Sequence, residues 1–222
     1  MKPLWASRLY TFVDTAYLAG RDPASLAQAL CDGGSDLIQV RAKGRPVDEV
    51  RRLAEAVLAV TRRAGVRMVL NDHWELAVEL GADLAHLGQE DFFDGGHRRV
   101  SDLRRGPGGP GIGLSTHAPQ QAKRAVAAGP DYVAIGPVFA TPTKAGKPAV
   151  TLDYVRWAAG ALTLPWFAIG GINLQTLDAV LEAGARRVCV VSAILNATDP
   201  EAACREFRRR LDEVPINPPT IG

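Results

Sequence analysis

Three long polar side chains alternate along one short stretch of the chain. Gln39, Arg41 and Lys43 follow the apolar run Leu37-Ile38, and because side chains of an extended strand point alternately to its two faces, all three project from one face. They would make poor core but good partners for an anion, although a solvated edge strand with a basic face would show the same pattern. The anion site is favoured because later predicted strands also end in polar, metal-capable or small residues. Polar groups at the carboxyl ends of parallel strands are how α/β proteins bind anionic substrates.

Two carboxylates follow neighbouring predicted strands. Asp72 comes directly after Leu70-Asn71, and Asp91 lies shortly after the strand that contains His86. Together they could hold one Mg²⁺, which prefers one or two protein carboxylates together with water and phosphate oxygens. Each has a structural alternative, Asp72 as the N-cap of a helix over residues 73–80 and Asp91 as a turn residue. The basic strand beside them favours the metal site.

The fifth predicted strand runs into Ser115, Thr116 and His117. Either hydroxyl would suit a ligand or would cap the following helix. His117 could act as an acid or base, although a histidine at a helix start is more often structural. His86 lies in an apolar run, and we expect it to be a hydrogen-bonded histidine of the barrel interior.

Two loops carry groups that could bind phosphate. After the sixth predicted strand comes a tight loop with two hydroxyls and an ammonium, which suits a phosphate as well as a surface turn; it contains Thr141, Pro142, Thr143 and Lys144. The seventh and eighth strands end at Gly171 and at Val191-Ser192. Bare backbone N–H groups there, beside a helix N-terminus, form the phosphate pocket that barrels often carry after their last two strands.

The site therefore has at least two anion positions. One consists of peptide N–H groups. The other has enough positive charge for a pyrophosphate and consists of a metal with Arg41, Lys43 and Lys144. The Gly/Pro-rich stretch 106–113 fits neither of the common nucleotide-binding glycine patterns, so we interpret it as the connection into strand 5.

A short sequence pattern that recurs five times indicates the elements that must position these residues. The pattern is a glycine, then any one residue, then Asp or Arg, and then an apolar run. It begins at Gly34, Gly65, Gly81, Gly129 and Gly184. A glycine after a helix suits a left-handed cap, and the short apolar run suits a buried parallel strand. Each copy of the pattern therefore predicts a helix-to-strand joint, and we call its first residue a joint glycine. Helix start signals accompany the pattern, with Asp22-Pro23, Asn173 and Asp199-Pro200 at predicted helix starts. With three further strands, at 9–13, 111–115 and 165–169, the pattern predicts eight strands alternating with helices. This is a single-domain (β/α)8 TIM barrel, with a doubly wound open sheet as the alternative.

Composition limits the class of protein. Residues 1–213 are expected to form the barrel domain, and residues 214–222, with three prolines, a flexible tail. The net charge of +2, without a basic block, argues against nucleic-acid binding. Three cysteines without paired spacing indicate neither disulfides nor zinc, and we expect a reducing cytoplasm. No signal peptide or membrane span is evident in the sequence.

Taken together, these motifs resemble the thiamine phosphate synthase family over nearly the whole chain. The ordered set is Q-x-R-x-K, N-D, G-Q-x-D, G-x-S-T-H, G-P-x-F-x-T-P-T-K, I-G-G-I and S-A-I. The resemblance implies a transferase that joins 4-amino-2-methyl-5-(diphosphooxymethyl)pyrimidine to a thiazole phosphate and releases pyrophosphate. It also implies Mg²⁺ as cofactor and small-molecule substrates, and a homodimer would be unsurprising for the family.

The resemblance also implies roles for individual residues. The pyrimidine diphosphate would be held by Gln39, Arg41, Lys43, Asn71, Ser115 and Lys144, with Arg41, Lys43, Ser115 and Lys144 taking part in catalysis. Val40 and Ala42 belong to the same binding stretch. Mg²⁺ would be held by Asp72 and Asp91. The thiazole phosphate would be held by Thr141, Pro142, Thr143, Gly171, Val191 and Ser192.

The chain departs from the family pattern at two positions. Ala42 stands where related motifs have a carboxylate, and Thr151 stands where a glycine is usual. Because Ala42 lies on the strand face away from Arg41 and Lys43, we expect it to matter little. Thr151 is expected to alter the loop that follows Lys144.

The implied chemistry agrees with the residues present. Departure of pyrophosphate leaves a pyrimidine methylene cation, so catalysis rests on electrostatic stabilisation of the leaving group. The thiazole nitrogen attacks without losing a proton, so no general base is required, which agrees with the lack of a convincing acid/base pair in the sequence.

Two alternatives remain open. A thiazole tautomerase would share G-x-S-x-H and would use His117 as its acid/base, but it would need neither Arg41 nor the two carboxylates. A non-catalytic phosphate-ligand-binding barrel would have no reason to keep the metal pair.

Overall fold

Eight parallel strands close into a barrel in the order in which they occur along the chain. The computed structural model describes residues 1–103, 108–140 and 149–216. The strands are β1 Leu9–Asp14, β2 Leu37–Arg41, β3 Arg67–Asn71, β4 Leu84–Gly88, β5 Gly111–Thr116, β6 Tyr132–Ile135, β7 Trp166–Ile169 and β8 Val188–Cys189. Pairing of Leu9 with Val188 and of Tyr10 with Cys189 joins the last strand to the first. The predicted TIM barrel is therefore confirmed, and the open sheet is excluded.

Helices follow the strands and cover the outside of the barrel. They are α1 Pro23–Asp32, α2 Val47–Ala64, α3 Trp74–Leu80, α4 Gln89–Asp94, α5 Pro119–Ala127, α6 Thr151–Ala161, α7 Leu177–Glu182, α8 Ser192–Leu195 and α9 Pro200–Asp212. The start signals at α1 and α9 act as predicted, because Asp22 accepts a hydrogen bond from the Ser25 amide and Asp199 from the Ala202 amide. No helix in the described ranges is both long and apolar enough to cross a membrane.

The predicted helix-to-strand joints are present in the fold. All five joint glycines have positive φ, for example +67° at Gly65, which ends α2, and +64° at Gly81, which ends α3. This left-handed conformation is open to glycine because it has no Cβ. The chain then turns at once into a buried strand, so each helix returns to the amino-terminal end of the barrel.

Three helices do not begin at the polar residues that could have capped them. The N-cap of α3 is His73 and that of α5 is Ala118, so Asp72, Ser115 and Thr116 do not cap these helices. Helix α7 begins at Leu177 rather than directly after Asn173. The Asn173 side chain accepts hydrogen bonds from the Gln175 and Thr176 amides, and this turn delays the helix.

Aromatic rings fill the centre of the barrel. Tyr10 and Tyr132 are 1% and 0% exposed, and Phe167 packs edge-on against both, with centroid separations of 5.4 and 5.5 Å. Gly113 of β5 provides the room, because a Cβ there would lie 2.1 Å from Cζ of Tyr132. This aromatic layer forms the floor beneath the carboxyl ends of the strands. Residues 217–222 of the predicted tail lie outside the described residues.

Candidate active site

A cavity of about 490 Å³ opens at the carboxyl ends of the strands. All eight strands or the loops after them contribute to its wall, so residues far apart in sequence face one space. The side chains of Gln39, Arg41, Lys43, Asn71, Asp72, Asp91 and Ser115 all line it, as do Gly171, Val191 and Ser192. In a (β/α)8 barrel this is the end that carries substrate sites.

The basic strand presents one face to the cavity. Gln39, Arg41 and Lys43 lie on the wall, whereas Val40 and Ala42 are 1% and 6% exposed within the hydrophobic core and are absent from the wall. Strand alternation accounts for this division. Val40 and Ala42 belong to the predicted binding stretch but have their side chains in the core, which agrees with the expectation that Ala42 matters little.

Both cations of this strand are already paired with carboxylates. Arg41 Nη1 lies 2.7 Å from Asp14 Oδ2, and Lys43 Nζ lies 3.0 Å from Asp72 Oδ2. The two pairs differ in burial: Asp14 and Arg41 side chains are 1% and 18% exposed, and those of Lys43 and Asp72 are 55% and 32% exposed. The cavity is thus less positive than a count of its basic residues suggests.

Asp14 is a cavity residue that the sequence reasoning missed. It ends β1 directly beside Arg41 of β2 in the strand register. Its other oxygen accepts a hydrogen bond from the Ala16 amide at 3.0 Å, and the Thr15 amide donates to the Arg41 carbonyl at 3.0 Å. Asp14 is therefore held firmly against the guanidinium. The signal was present in the sequence, because Asp14 is a polar residue that directly follows the predicted strand 9–13.

The predicted metal ligands both reach the cavity. Asp72 has a φ of +66°, and its amide is tied to β4 by a hydrogen bond to the His86 carbonyl at 2.9 Å. Asp91, in the first turn of α4, is exposed. Gly88 leaves room for it, since a Cβ there would lie 2.6 Å from Asp91 Oδ2.

This donor set suits Mg²⁺. Among the described residues no group of three or more His, Cys, Asp or Glu side chains is placed to hold a metal. Mg²⁺ needs no such cage, because it binds through one or two carboxylates and takes its remaining ligands from water and phosphate. Asp72 and Asp91 therefore fit that ion better than they would fit zinc.

A hydrogen-bonded chain of four side chains lies at the cavity floor. Gln39 Nε2 donates to Tyr10 Oη at 2.5 Å, the Tyr10 and Tyr132 hydroxyls are 3.0 Å apart, and Tyr132 Oη lies 2.9 Å from His86 Nδ1. Burial raises the pKa of both tyrosines well above the usual value. His86 is thus a hydrogen-bonded histidine of the barrel interior, as expected, and it also contributes to the cavity wall.

His117 is held at the rim by its own surroundings. Its Nδ1 donates to the Gly136 carbonyl, and its backbone amide donates to Gln121 Oε1 at 2.7 Å. Its Nε2 lies 4.0 Å from Glu90, another cavity residue absent from the sequence-based set. Two further polar wall residues, Asn71 and Ser115, are 9% and 7% exposed.

Close backbone approach shapes the loop after β7. A Cβ at Gly170 would lie 2.4 Å from Pro137 Cα, and one at Gly171 would lie 2.7 Å from Phe139 Cβ. Both positions therefore require glycine, which leaves backbone facing the cavity beside Val191 and Ser192. Such a surface can receive a phosphate.

The loop that contains Thr141, Pro142, Thr143 and Lys144 lies outside the described residues. Beyond it, Thr151 has a φ of +61°. This left-handed conformation favours glycine and explains why a glycine is usual in the family pattern at this position.

Comparisons with known proteins agree with one another. A family model described as thiamine monophosphate synthase matches residues 9–194. The thiamine-phosphate synthase of Thermus thermophilus is 52% identical over 180 residues, covering 81% of this chain and 84% of that protein. The thiamine-phosphate synthase of Acidothermus cellulolyticus is 46% identical over 209 residues, covering 92% of this chain and 95% of that protein.

A solved structure extends the similarity to three dimensions. The thiamine phosphate pyrophosphorylase from Pyrococcus furiosus superposes with a TM-score of 0.83 at 25% identity, covering 96% of this chain and 98% of that one. The family match spans all eight strands, from β1 to the first residues of α8. The chain belongs to the thiamine monophosphate synthase family.

Proposed function

We propose that this transferase makes thiamine phosphate in the cavity at the carboxyl ends of its strands. The reaction condenses 4-amino-2-methyl-5-(diphosphooxymethyl)pyrimidine with 4-methyl-5-(2-phosphooxyethyl)thiazole and releases pyrophosphate. One observation carries the assignment of the site: a single cavity joins a basic strand face, two carboxylates and a glycine-lined loop. These three features match the diphosphate, its metal and the second phosphate.

The wall residues divide by the part of the substrates that they suit. Gln39, Asn71 and Ser115 offer amide and hydroxyl groups to the pyrimidine, and Arg41 and Lys43 offer charge to its diphosphate. Lys144 is assigned to the same diphosphate. The backbone at Gly171, Val191 and Ser192 receives the thiazole phosphate. Thr141, Pro142 and Thr143 are assigned to the same phosphate.

We assign Mg²⁺ to Asp72 and Asp91. When bound, the ion supplies Lewis-acid stabilisation of the departing diphosphate. Lys43 is 3.0 Å from Asp72 in this structure. Asp72 would hold the ion, and Lys43, its present partner, would offer its ammonium to a phosphate oxygen. The Arg41 guanidinium remains paired with Asp14 and also contacts the cavity.

The chain's part in catalysis is mainly electrostatic. The bond from the pyrimidine methylene carbon to the diphosphate oxygen breaks, and its electron pair leaves with pyrophosphate. Arg41, Lys43 and Lys144 stabilise the charge that grows there in the transition state. The thiazole nitrogen then uses its lone pair to bond to the methylene carbon, and no proton is transferred.

The paired charges of the cavity favour the synthase over the tautomerase. His86 is engaged with the Tyr132 hydroxyl, and His117 Nδ1 donates to the Gly136 carbonyl. A tautomerase would need His117 as acid or base but would leave the pairs Arg41–Asp14 and Lys43–Asp72 without a purpose.

The test is pyrophosphate release by purified protein given both substrates, with Mg²⁺ and again with a chelator. We expect release that requires both substrates and the metal, and that falls at least about 100-fold in Asp91→Ala. Asp94→Ala is the matched control, because Asp94 is on the same helix but outside the cavity wall. Metal-independent release, or equal rates in the two variants, would contradict the metal assignment. Isomerisation of a thiazole without pyrophosphate release, abolished by His117→Ala, would indicate the tautomerase.

A further inference from the structure

The hydrogen-bonded chain at the cavity floor links strands that lie far apart in sequence. Gln39 is on β2, Tyr10 on β1, Tyr132 on β6 and His86 on β4. Gln39, Tyr10 and His86 reach the cavity wall, whereas Tyr132 is fully buried. The hydroxyls of the two tyrosines are thus the connection between two polar groups that can face substrate.

The Gln39 end of this chain favours one direction of hydrogen bonding along it. A glutamine amide nitrogen can only donate, so Tyr10 Oη accepts from Gln39 Nε2 and its own hydrogen is available to Tyr132 Oη, 3.0 Å away. With the chain continued in this direction, Tyr132 would donate to Nδ1 of His86 and the histidine hydrogen would lie on Nε2. If the amide turned over, every hydrogen bond would reverse and His86 would carry its hydrogen on Nδ1. The orientation of Gln39 and the tautomer of His86 are therefore coupled.

We propose that Tyr10 and Tyr132 are positioning residues that hold the Gln39 amide with Oε1 towards the substrate pyrimidine. In this orientation Gln39 accepts a hydrogen bond from the 4-amino group. The proposal rests on the proposed function, which places the pyrimidine against Gln39. A reversed amide would set an NH₂ group against the amino group, and two donors would face each other.

The arrangement favours the transition state as well as binding. As the diphosphate leaves, the 4-amino group releases electron density to the methylene cation, and its N–H bonds become stronger donors. An acceptor held in place at Gln39 Oε1 gains strength during this change, which is the condition for a contribution to rate.

Aromatic packing keeps the two hydroxyls in position and permits conservative variants. The Tyr10 ring stacks on Phe12 at 5.3 Å, and the Tyr132 ring stacks on His86 at 5.6 Å. Tyr→Phe substitutions remove only the hydroxyl and keep these contacts. A matched control is Tyr154→Phe, because Tyr154 is a buried tyrosine whose hydroxyl lies 2.7 Å from Thr116 Oγ1 and is not part of the cavity wall.

The first experiment measures substrate discrimination. Dissociation constants are determined by calorimetry for the aminopyrimidine diphosphate and for its 4-oxo analogue, in the absence of the thiazole. We expect the parent protein to prefer the amino compound, and this preference to fall about tenfold in Tyr10→Phe and in Tyr132→Phe but not in Tyr154→Phe. An unchanged preference in both cavity-floor variants would overturn the proposal.

The second experiment needs no substrate. The tautomer of His86 is determined by nitrogen-15 NMR in the parent protein, in Gln39→Glu and in Gln39→Glu with Tyr10→Phe. A carboxylate can only accept, so Gln39→Glu should move the His86 hydrogen from Nε2 to Nδ1, and loss of the Tyr10 hydroxyl should prevent this.

The two experiments separate the possible failures. If the His86 tautomer is the same in Gln39→Glu as in the parent protein, the coupling is overturned and the proposed function is unaffected. A coupled tautomer in a protein without preference for the amino compound overturns the placement of the pyrimidine against Gln39, and the positioning role falls with it.

Discussion

Replacement of Asp14 by alanine should lower the stability of the fold and raise the affinity for pyrophosphate. In Asp14→Ala the guanidinium of Arg41 loses a partner at 2.7 Å. Breaking a buried ion pair by removing one member costs about 3–5 kcal/mol. Arg41 is 18% exposed and opens onto the cavity, so water can reach it, and we expect the lower end of that range. For a chain of this length, about 3 kcal/mol corresponds to a fall in melting temperature of roughly 6–12 °C.

The effect on anion binding has the opposite sign. Asp14 is a fixed negative charge beside a proposed diphosphate site, and its removal leaves Arg41 with no competing carboxylate. We expect pyrophosphate to bind Asp14→Ala about tenfold more tightly than the parent, which is the size of a screened interaction between close charges. Calorimetric titration with pyrophosphate in Mg²⁺ measures this directly, and thermal melting with and without pyrophosphate provides a second readout.

A control variant makes the result decisive. Asp153→Ala removes the partner of Arg156 from an ion pair of 2.8 Å in which both side chains are exposed, and it should change neither melting temperature nor pyrophosphate affinity appreciably. If Asp14→Ala melted like Asp153→Ala, the buried pair would not stabilise the fold. If its pyrophosphate affinity were unchanged or lower, Arg41 would not belong to the diphosphate site.

Three further substitutions test other parts of the structure. Thr151 has a φ of +61°, which glycine adopts at lower cost than threonine. Thr151→Gly should therefore stabilise the protein by about 1 kcal/mol and raise the melting temperature by roughly 2–4 °C. An unchanged melting curve would contradict this. Gly113→Ala should destabilise it by about 1–3 kcal/mol in urea unfolding, because its Cβ would meet the Tyr132 ring at 2.1 Å; parent-like stability would show that the ring can move aside. Gly88→Ala should raise the Mg²⁺ concentration needed for activity, because its Cβ would meet Asp91 Oδ2 at 2.6 Å; an unaltered Mg²⁺ requirement would place the ion elsewhere.

The fold could be predicted because its signals are local. The joint glycines, the helix starts at Asp22 and Asp199 and the short apolar runs each act within a few residues. Helix starts that depend on a particular turn were less predictable. Asn173 accepts two backbone hydrogen bonds before α7 begins, and composition does not distinguish that turn from a cap.

The site was predictable as a set of residues but not as a set of contacts. Strand alternation correctly separated Arg41 from Ala42. The pairing of Arg41 with Asp14 depends on the register of β1 against β2, which follows from closure of the whole barrel. The contact between the Tyr10 and Tyr132 hydroxyls likewise joins residues 122 positions apart. Such contacts depend on tertiary geometry, and no local pattern encodes them.

A crystal structure of the protein with Mg²⁺ and pyrophosphate would test the central claim most directly, namely that the basic strand and the two carboxylates form one diphosphate site. We expect the pyrophosphate to contact Arg41 and Lys43, with the ion bound by Asp72 and Asp91. Pyrophosphate seated at Gly171 and Ser192 instead, with Lys43 still paired to Asp72, would contradict the claim.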